Sequence, residues 1–553
     1  VSGPLPIIGS LPDDERVFPH LTPEQVARVA THGRTRRVEK GEVLAGSGES
    51  NSHCFVVRSG LLHVVRDEQL VTTHAPGQFS GEVNMLTGRR GFATIRVEEP
   101  GEVIELDRDA LLALVQTDGE LSEIFMRAFI LRRVELIARG FGDVILLGSG
   151  FCPNTLRVRE FLSRNGHPYT YIDLDRDEGV QDVLDRFQVG PDDVPVVICR
   201  GQIVLRQPTN QEIADCVGFN DAIDQTRIRD VVVVGAGPSG LAAAVYAASE
   251  GLDVLVVESN SPGGQAGTSS RIENYLGFPT GISGLELAAR AAAQAEKFGA
   301  ELLIARGAAR LTCDRSPYTI EMENGARVPA RTVIIATGAE YRTLPVADLA
   351  RFNGAGVYYA ATALESQLCR GEDVIVVGGG NSAGQAAVFL AGVARRVFMV
   401  VRADGLAESM SRYLVRRIEQ TPAIELQTVC EVVAVEGDVH LERVRWRNRE
   451  TGKETLEAVR HIFVMTGAEP ATKWLDRCVA LDASGFIKTG GDLTSDDLSA
   501  AKWPLARTPL LFETSLPRVF AVGDVRSGNV KRVASAVGEG SIAVRLVHQV
   551  LHE

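Results

Sequence analysis

The chain contains no Cys-x-x-Cys pair, and its 8 cysteines are scattered over 553 residues. That spacing excludes a dithiol centre made by sequence neighbours and provides no metal-ligand set. It leads to an expectation of reduced thiols in a reducing, cytoplasmic setting, with no disulfide framework. Excess positive charge is also missing: 58 Lys and Arg face 71 Asp and Glu, a net charge of −13. A nucleic-acid or anionic-membrane partner is therefore not expected. Two uncharged stretches, Val231 to Ser249 and Val374 to Ala394, are long enough to suggest a bilayer span. Each carries a glycine-rich loop at its middle, so a strand, a loop and a helix explain it better. The opening residues, with Pro, Asp and Glu, do not read as a secretory leader.

The chain is too long for one core, which implies several domains. In residues 1–140, strand-sized runs (Val38–Leu44, Phe55–Gly60, Val103–Leu106) precede a helical periodicity over Leu111 to Ile137. Residues 141–222 read as a compact αβ unit. Its strands are Asp143–Leu147, Tyr169–Asp173 and Val194–Ile198, with a helix over Leu156–Asn165. Residues 228–553 hold two strand–loop–helix openings.

The first opening is Val231–Val234, then Gly235-x-Gly237-Pro238-Ser239-Gly240, then a helix from Leu241. A second strand, Val254–Val257, ends in Glu258. This is the Rossmann arrangement. Gly235 permits the tight turn, Gly237 admits a pyrophosphate, and Gly240 lets helix pack on strand. The helix N-terminus offers N–H donors to phosphate, and Glu258 is placed for ribose hydroxyls. The bland alternative is a glycine turn without a ligand. The second opening is Asp373–Val377, then Gly378-x-Gly380-Asn381-Ser382-Ala383. Its next strand, Val397–Val401, ends in Arg402, which suits the 2′-phosphate of NADPH, with NADH still open. Arg402 also reads as a solvated strand-end charge. Two such sites imply hydride transfer from nicotinamide to flavin.

Residues Arg229 to Glu553 resemble the low-molecular-weight thioredoxin reductases. The matching motifs are the Gly235–Gly240 loop, Gly263-Gly264-Gln265, Ile272–Phe278 with Asn274, Ala336-Thr337-Gly338, the Gly378–Ala383 loop and Phe520–Asp524. The resemblance implies an FAD domain over 228–340 and 468–553, with an NADPH domain over 341–467 inserted in it. It also implies that Gly264, Gln265, Asn274, Thr337, Gly338 and Asp524 contact FAD, and that the protein is a homodimer. Two departures stand out. The redox Cys-Ala-Thr-Cys of the family reads Ala360-Ala361-Thr362-Ala363 here. Of its basic cluster for the 2′-phosphate only Arg402 remains, beside Val401, Ala403 and Ala407.

The segment Asp143 to Gly218 resembles glutaredoxins and thioredoxins. Phe151-Cys152-Pro153-Asn154-Thr155 opens a helix, and Pro195 matches the family's cis-proline. A helix N-terminus stabilises a thiolate. With Thr155 in place of a second cysteine, the resemblance implies monothiol chemistry with glutathione or another disulfide. An intramolecular bond would need a distant partner such as Cys199 or Cys216. A docking domain with an unreactive Cys152 is the alternative. Cys54, Cys199, Cys313, Cys369, Cys430 and Cys478 read as small buried hydrophobes.

The first zone resembles the cyclic-nucleotide-binding β-roll, through Gly77–Leu86 and Arg89–Thr94. Gly81 and Glu82 match its ribose contacts. Its phosphate arginine falls on Gly91 without gaps, with Arg90 one residue early. The fold class expected is a multidomain chain: an N-terminal β-roll with helices, a thioredoxin-like α/β unit and two Rossmann-like domains. The function expected is electron transfer from NADPH through FAD to a thiol or disulfide acceptor, with Cys152 a candidate exit thiol. Alternatives are a flavin reductase for ferredoxin, quinone or oxygen, and a redox or cyclic-nucleotide sensor.

Overall fold

A computed structural model describes residues 15–553, apart from 16, 48–52, 67–68, 82–92, 139–143, 151, 176–189, 191–192, 200–202, 221, 270, 315, 362, 408 and 439. The described chain has four structural zones, the fourth lying in sequence between two parts of the third.

The N-terminal zone is a five-stranded antiparallel sheet dominated by two strands, His53–Arg66 and Thr94–Asp107. These are longer than the sequence runs because Gly60 (φ 85°) carries the first strand through a bulge. The expected strand Val38–Leu44 is split into Arg34–Val38 and Val43–Ala45, with Gly41 turning between them at φ 84°. The helical stretch is likewise two helices, Arg108–Thr117 and Gly119–Ala138, broken at Asp118. Phe79 stacks on Phe125 at 4.0 Å and meets Phe129 edge-on, closing the helices onto the sheet.

The second zone has a four-stranded sheet in the order Tyr169–Asp173, Val144–Gly148, Val196–Cys199, Ile203–Arg206. The first pair is parallel and the others antiparallel. Asp143 and Phe151 lie outside the described residues. Pro195 precedes its strand instead of belonging to it.

The third zone is a seven-stranded sheet built on the parallel strands Arg229–Val234, Val254–Val257, Glu301–Leu303 and Arg327–Ile335. Val519–Ala521, near the end of the chain, pairs with the last of these. The valines of Val231–Val234 and Val254–Val257 are all buried, as a sheet covered on both faces requires. The fourth zone is a parallel five-stranded sheet, with Asp373–Val377 between Arg396–Val400 and His461–Val464. Two short crossing strands, Ala339–Tyr341 and Ala468–Pro470, connect it to the third.

The second and third zones share one contiguous apolar core. Val158, Phe161 and Phe219 pack in the same cluster as Val231, Leu241 and Val547. The αβ unit is therefore seated on the first dinucleotide module.

Two cysteine expectations are corrected. Cys313 and Cys478 form a disulfide with Cα atoms 6.0 Å apart, and Cys199 and Cys216 form another at 6.6 Å. Sequence separations of 165 and 17 residues hid both, because tertiary packing brings the pairs together. Cys199 and Cys216 are bonded to each other, so neither is available as a partner for Cys152. Cys54, Cys369 and Cys430 are free and buried. Burial pushes the Cys54 thiol up to about 12 and Cys369 to about 11, which leaves both unreactive.

Candidate functional site

One cavity of about 1540 Å³ receives both glycine loops. The helices that follow them, Pro238–Ser249 and Asn381–Leu390, start at Gly237 and Gly380 without a side-chain cap. Their first N–H groups thus lack a capping side chain and face an open cavity, which suits phosphate oxygens.

In the first loop, Gly235 has φ 104°, and a Cβ there would meet the Ala336 carbonyl at 2.3 Å. A Cβ on Gly240 would lie 1.9 Å from the Gly235 carbonyl. Gly237 has nothing within 4 Å of that position. Gly235, Gly237, Pro238 and Ser239 line the cavity, whereas Gly240 is buried beneath the loop.

Glu258 is buried against the loop. One carboxylate oxygen accepts the Ala236 N–H at 2.7 Å, the other those of Asn260 and Ser261 at 2.9 and 3.2 Å. Burial raises its pKa, opposed by these N–H groups and by Arg164. Gly264, Gln265 and Asn274 also face the cavity. Gln265 Nε2 donates to the Ala339 carbonyl, and Asn274 is exposed. Thr337 and Gly338 line the cavity where the two modules meet, and Thr337 Oγ1 donates to the Ala471 carbonyl at 2.8 Å.

Asp524 lines the same cavity, half-buried and without a hydrogen bond from the described residues. Burial raises its pKa, while Lys531 acts in the opposite direction. A carboxylate so placed suits a ligand rich in hydroxyl groups.

In the second loop, Gly378 (φ 141°), Gly380, Asn381 and Ser382 line the cavity. Asn381 Oδ1 accepts the Ser411 N–H at 2.8 Å, which ties the helix start to the start of the helix Arg412–Glu419. Arg402 is exposed at the cavity edge. Arg402→Ala is expected to lower kcat/KM for NADPH about tenfold while leaving NADH unchanged. Steady-state kinetics with both nucleotides checks this.

Cys152 is the N-cap of the helix Pro153–Arg164, and the Val194–Pro195 peptide is cis. Pro153, next to it, sits against the Gly354 turn: a Cβ on Gly354 would lie 3.0 Å from the Pro153 Cα. That turn leads within a few residues to Ala360 and Ala361, which also line the cavity.

Gly81 has φ 106°, and its carbonyl accepts from Arg132 Nη1 at 2.8 Å. Glu82 and Arg90 lie outside the described residues.

Comparison with known proteins adds the family. The model for pyridine nucleotide-disulphide oxidoreductases matches residues 229–540. The chain belongs to that family. Models for a cyclic nucleotide-binding domain and for glutaredoxin match residues 35–118 and 144–204. The oxidoreductase is 31% identical to the thioredoxin reductase of Bacillus subtilis, over 60% of this chain and 97% of that protein. It is 35% identical to a bifunctional thioredoxin reductase/thioredoxin of Mycobacterium leprae, over 57% of this chain and 64% of that one. The T. acidophilum thioredoxin reductase structure superposes with a TM-score of 0.53 and 30% identity, over 59% of this chain and all of that one. This is therefore a thioredoxin-reductase-like flavoprotein oxidoreductase with Rossmann-type domains.

The family implies FAD and NADPH, and the residues fit them. The first loop is uncapped, Gly235 and Gly240 leave no room for a Cβ, Gly237 stands open to the cavity, and Asp524 accepts no hydrogen bond from the described residues. Sequence reasoning missed one part of the site. Arg157, Glu160 and Arg164, from the glutaredoxin-like zone, line the same cavity. Nothing local in the sequence marks them, because the zones meet only in the folded chain. Among the described residues, no helix is long and apolar enough to cross a membrane.

Proposed function

We propose that this oxidoreductase carries electrons from NADPH through FAD to a disulfide acceptor, with Cys152 as the exit thiol. The observation that carries this reading is the cavity lined by both dinucleotide loops and by Pro153 and Asn154, the two residues that follow Cys152, which itself does not line it. FAD, when bound, takes a hydride from the nicotinamide and passes two electrons on. The chain's task is positional. Gly235, Gly237, Ser239 and Asp524 would hold the flavin nucleotide, and Gly378–Ser382 with Arg402 would hold the nicotinamide nucleotide, so that the two rings are brought together in one cavity.

The Cys152 thiolate attacks an acceptor disulfide, displaces one thiolate and forms a mixed disulfide. Two electrons and one proton, supplied by NADPH oxidation, then release the second thiol and restore the Cys152 thiolate. Glutathione disulfide and a protein disulfide both fit this chemistry.

The domain boundaries follow the same scheme: 1–140 regulatory, 141–222 glutaredoxin-like, 228–340 with 468–553 for FAD, and 341–467 for NADPH. The regulatory β-roll touches the FAD module, where Gln116 Nε2 donates to the Lys297 carbonyl at 2.8 Å. A cyclic nucleotide is its natural ligand class, and a homodimer its expected assembly.

Mixing the purified protein with NADPH should bleach the flavin absorbance within the mixing time of a stopped-flow experiment. Unchanged absorbance would sink the hydride step. One observation favours a second reading. Ala360, at the position of the first cysteine of the family's redox pair, stands at the cavity wall without a sulfur, which suits a quinone, ferredoxin or oxygen as acceptor.

A further inference from the structure

Resting on the flavin reading above, we propose that Arg164, from the glutaredoxin-like zone, binds the phosphate-bearing end of FAD. This residue lies outside residues 229–540, the segment matched to the oxidoreductase family. Its side chain is only 14% exposed, yet it lines the cavity beside Gly235, Gly237 and Glu258. Nη2 donates to the Gly264 carbonyl at 2.7 Å, and a Cβ on Gly267 would be 3.5 Å from that nitrogen. Nη1 meets Glu160 at 3.3 Å, and that acid is itself partly exposed. The guanidinium is thus held in place by a backbone carbonyl, with donor capacity left over, in a cavity built for a dianionic pyrophosphate.

The same zone also grips the loop behind the ribose acid. Asn210 Nδ2 donates to Asn260 Oδ1 at 2.9 Å, and the Asn260 N–H in turn donates to Glu258 at 2.9 Å. The shared core around Phe161 and Phe219 makes this placement rigid. The αβ unit is therefore one wall of the flavin site as well as a redox module.

The test is FAD affinity, read by flavin fluorescence on full-length apoprotein at two salt concentrations. Arg164→Ala should weaken FAD binding about tenfold or more, the scale of one charge-assisted contact. It should also flatten the salt dependence, which loss of a purely structural contact would not do. Arg164→Lys should restore part of the affinity and the salt slope. Asn220→Ala is the docking control: Asn220 exchanges hydrogen bonds of 2.8 and 2.7 Å with Ile304 outside the cavity. It should leave FAD affinity within about twofold of wild type. Equal FAD affinity in wild type and Arg164→Ala overturns the inference alone. An equal loss in Asn220→Ala overturns it in favour of simple domain docking. A wild-type apoprotein that takes up no FAD overturns the flavin reading, and the inference falls with it.

Discussion

Replacing Cys152 by Ser is expected to reduce turnover with a disulfide acceptor to background while NADPH still bleaches the flavin. The two halves separate because the hydride step uses only the loops and Asp524, which Cys152 does not touch. A serine hydroxyl keeps the N-cap position of Pro153–Arg164 and caps a helix well, so the fold should not suffer. It cannot form the mixed disulfide, because oxygen does not exchange with sulfur as a thiolate does. No other free cysteine is placed to substitute, since Cys54, Cys369 and Cys430 are buried. The check is steady-state reduction of glutathione disulfide beside stopped-flow flavin reduction, on wild type and variant. Full disulfide turnover in the variant would remove Cys152 from the route. Retained quinone turnover in that same variant would then favour the second reading.

Gly240→Ala should yield a protein without flavin colour. The new Cβ would stand 1.9 Å from the Gly235 carbonyl, far inside van der Waals contact. Relief requires the helix Pro238–Ser249 to move away from the strand Arg229–Val234. That shift displaces the uncapped N–H groups on which a phosphate would rest. Overpacking of this kind costs about 1–3 kcal/mol, or roughly five- to 150-fold in FAD affinity where the strained loop is itself the site. Reconstitution of purified apoprotein with FAD, followed by filtration and absorbance, measures it. Circular dichroism on the same sample shows whether the rest of the chain stays folded. FAD content equal to wild type would mean that the loop does not hold the flavin.

Much of this was legible in the residues. The strands Arg229–Val234 and Asp373–Val377 lie where the uncharged runs begin, because glycine punctuates a buried parallel strand sharply. The N-terminal strands were harder. Gly60 reads as a terminator, yet it only bends the strand His53–Arg66, whose pairing with Thr94–Asp107 overrides the local signal. The cysteines were misread for a related reason. Cys313 and Cys478 are joined across the third zone by a fold that spacing does not encode.

Sequence alone determined the chemistry that the chain has at its disposal: two glycine loops opening helices, an acid at Glu258, a cation at Arg402 and one thiol at a helix start. Those features are local, since a turn, a strand end or a helix N-terminus is specified by a few consecutive residues. Only the tertiary structure decided what they share. It placed both loops on one cavity, set the Cys152 helix against the Gly354 turn, and brought Arg164 across to Gly264 from 100 residues away. The physical reason is that domain docking depends on matched apolar faces, here those around Phe161 and Val231, and such matching is a property of surfaces.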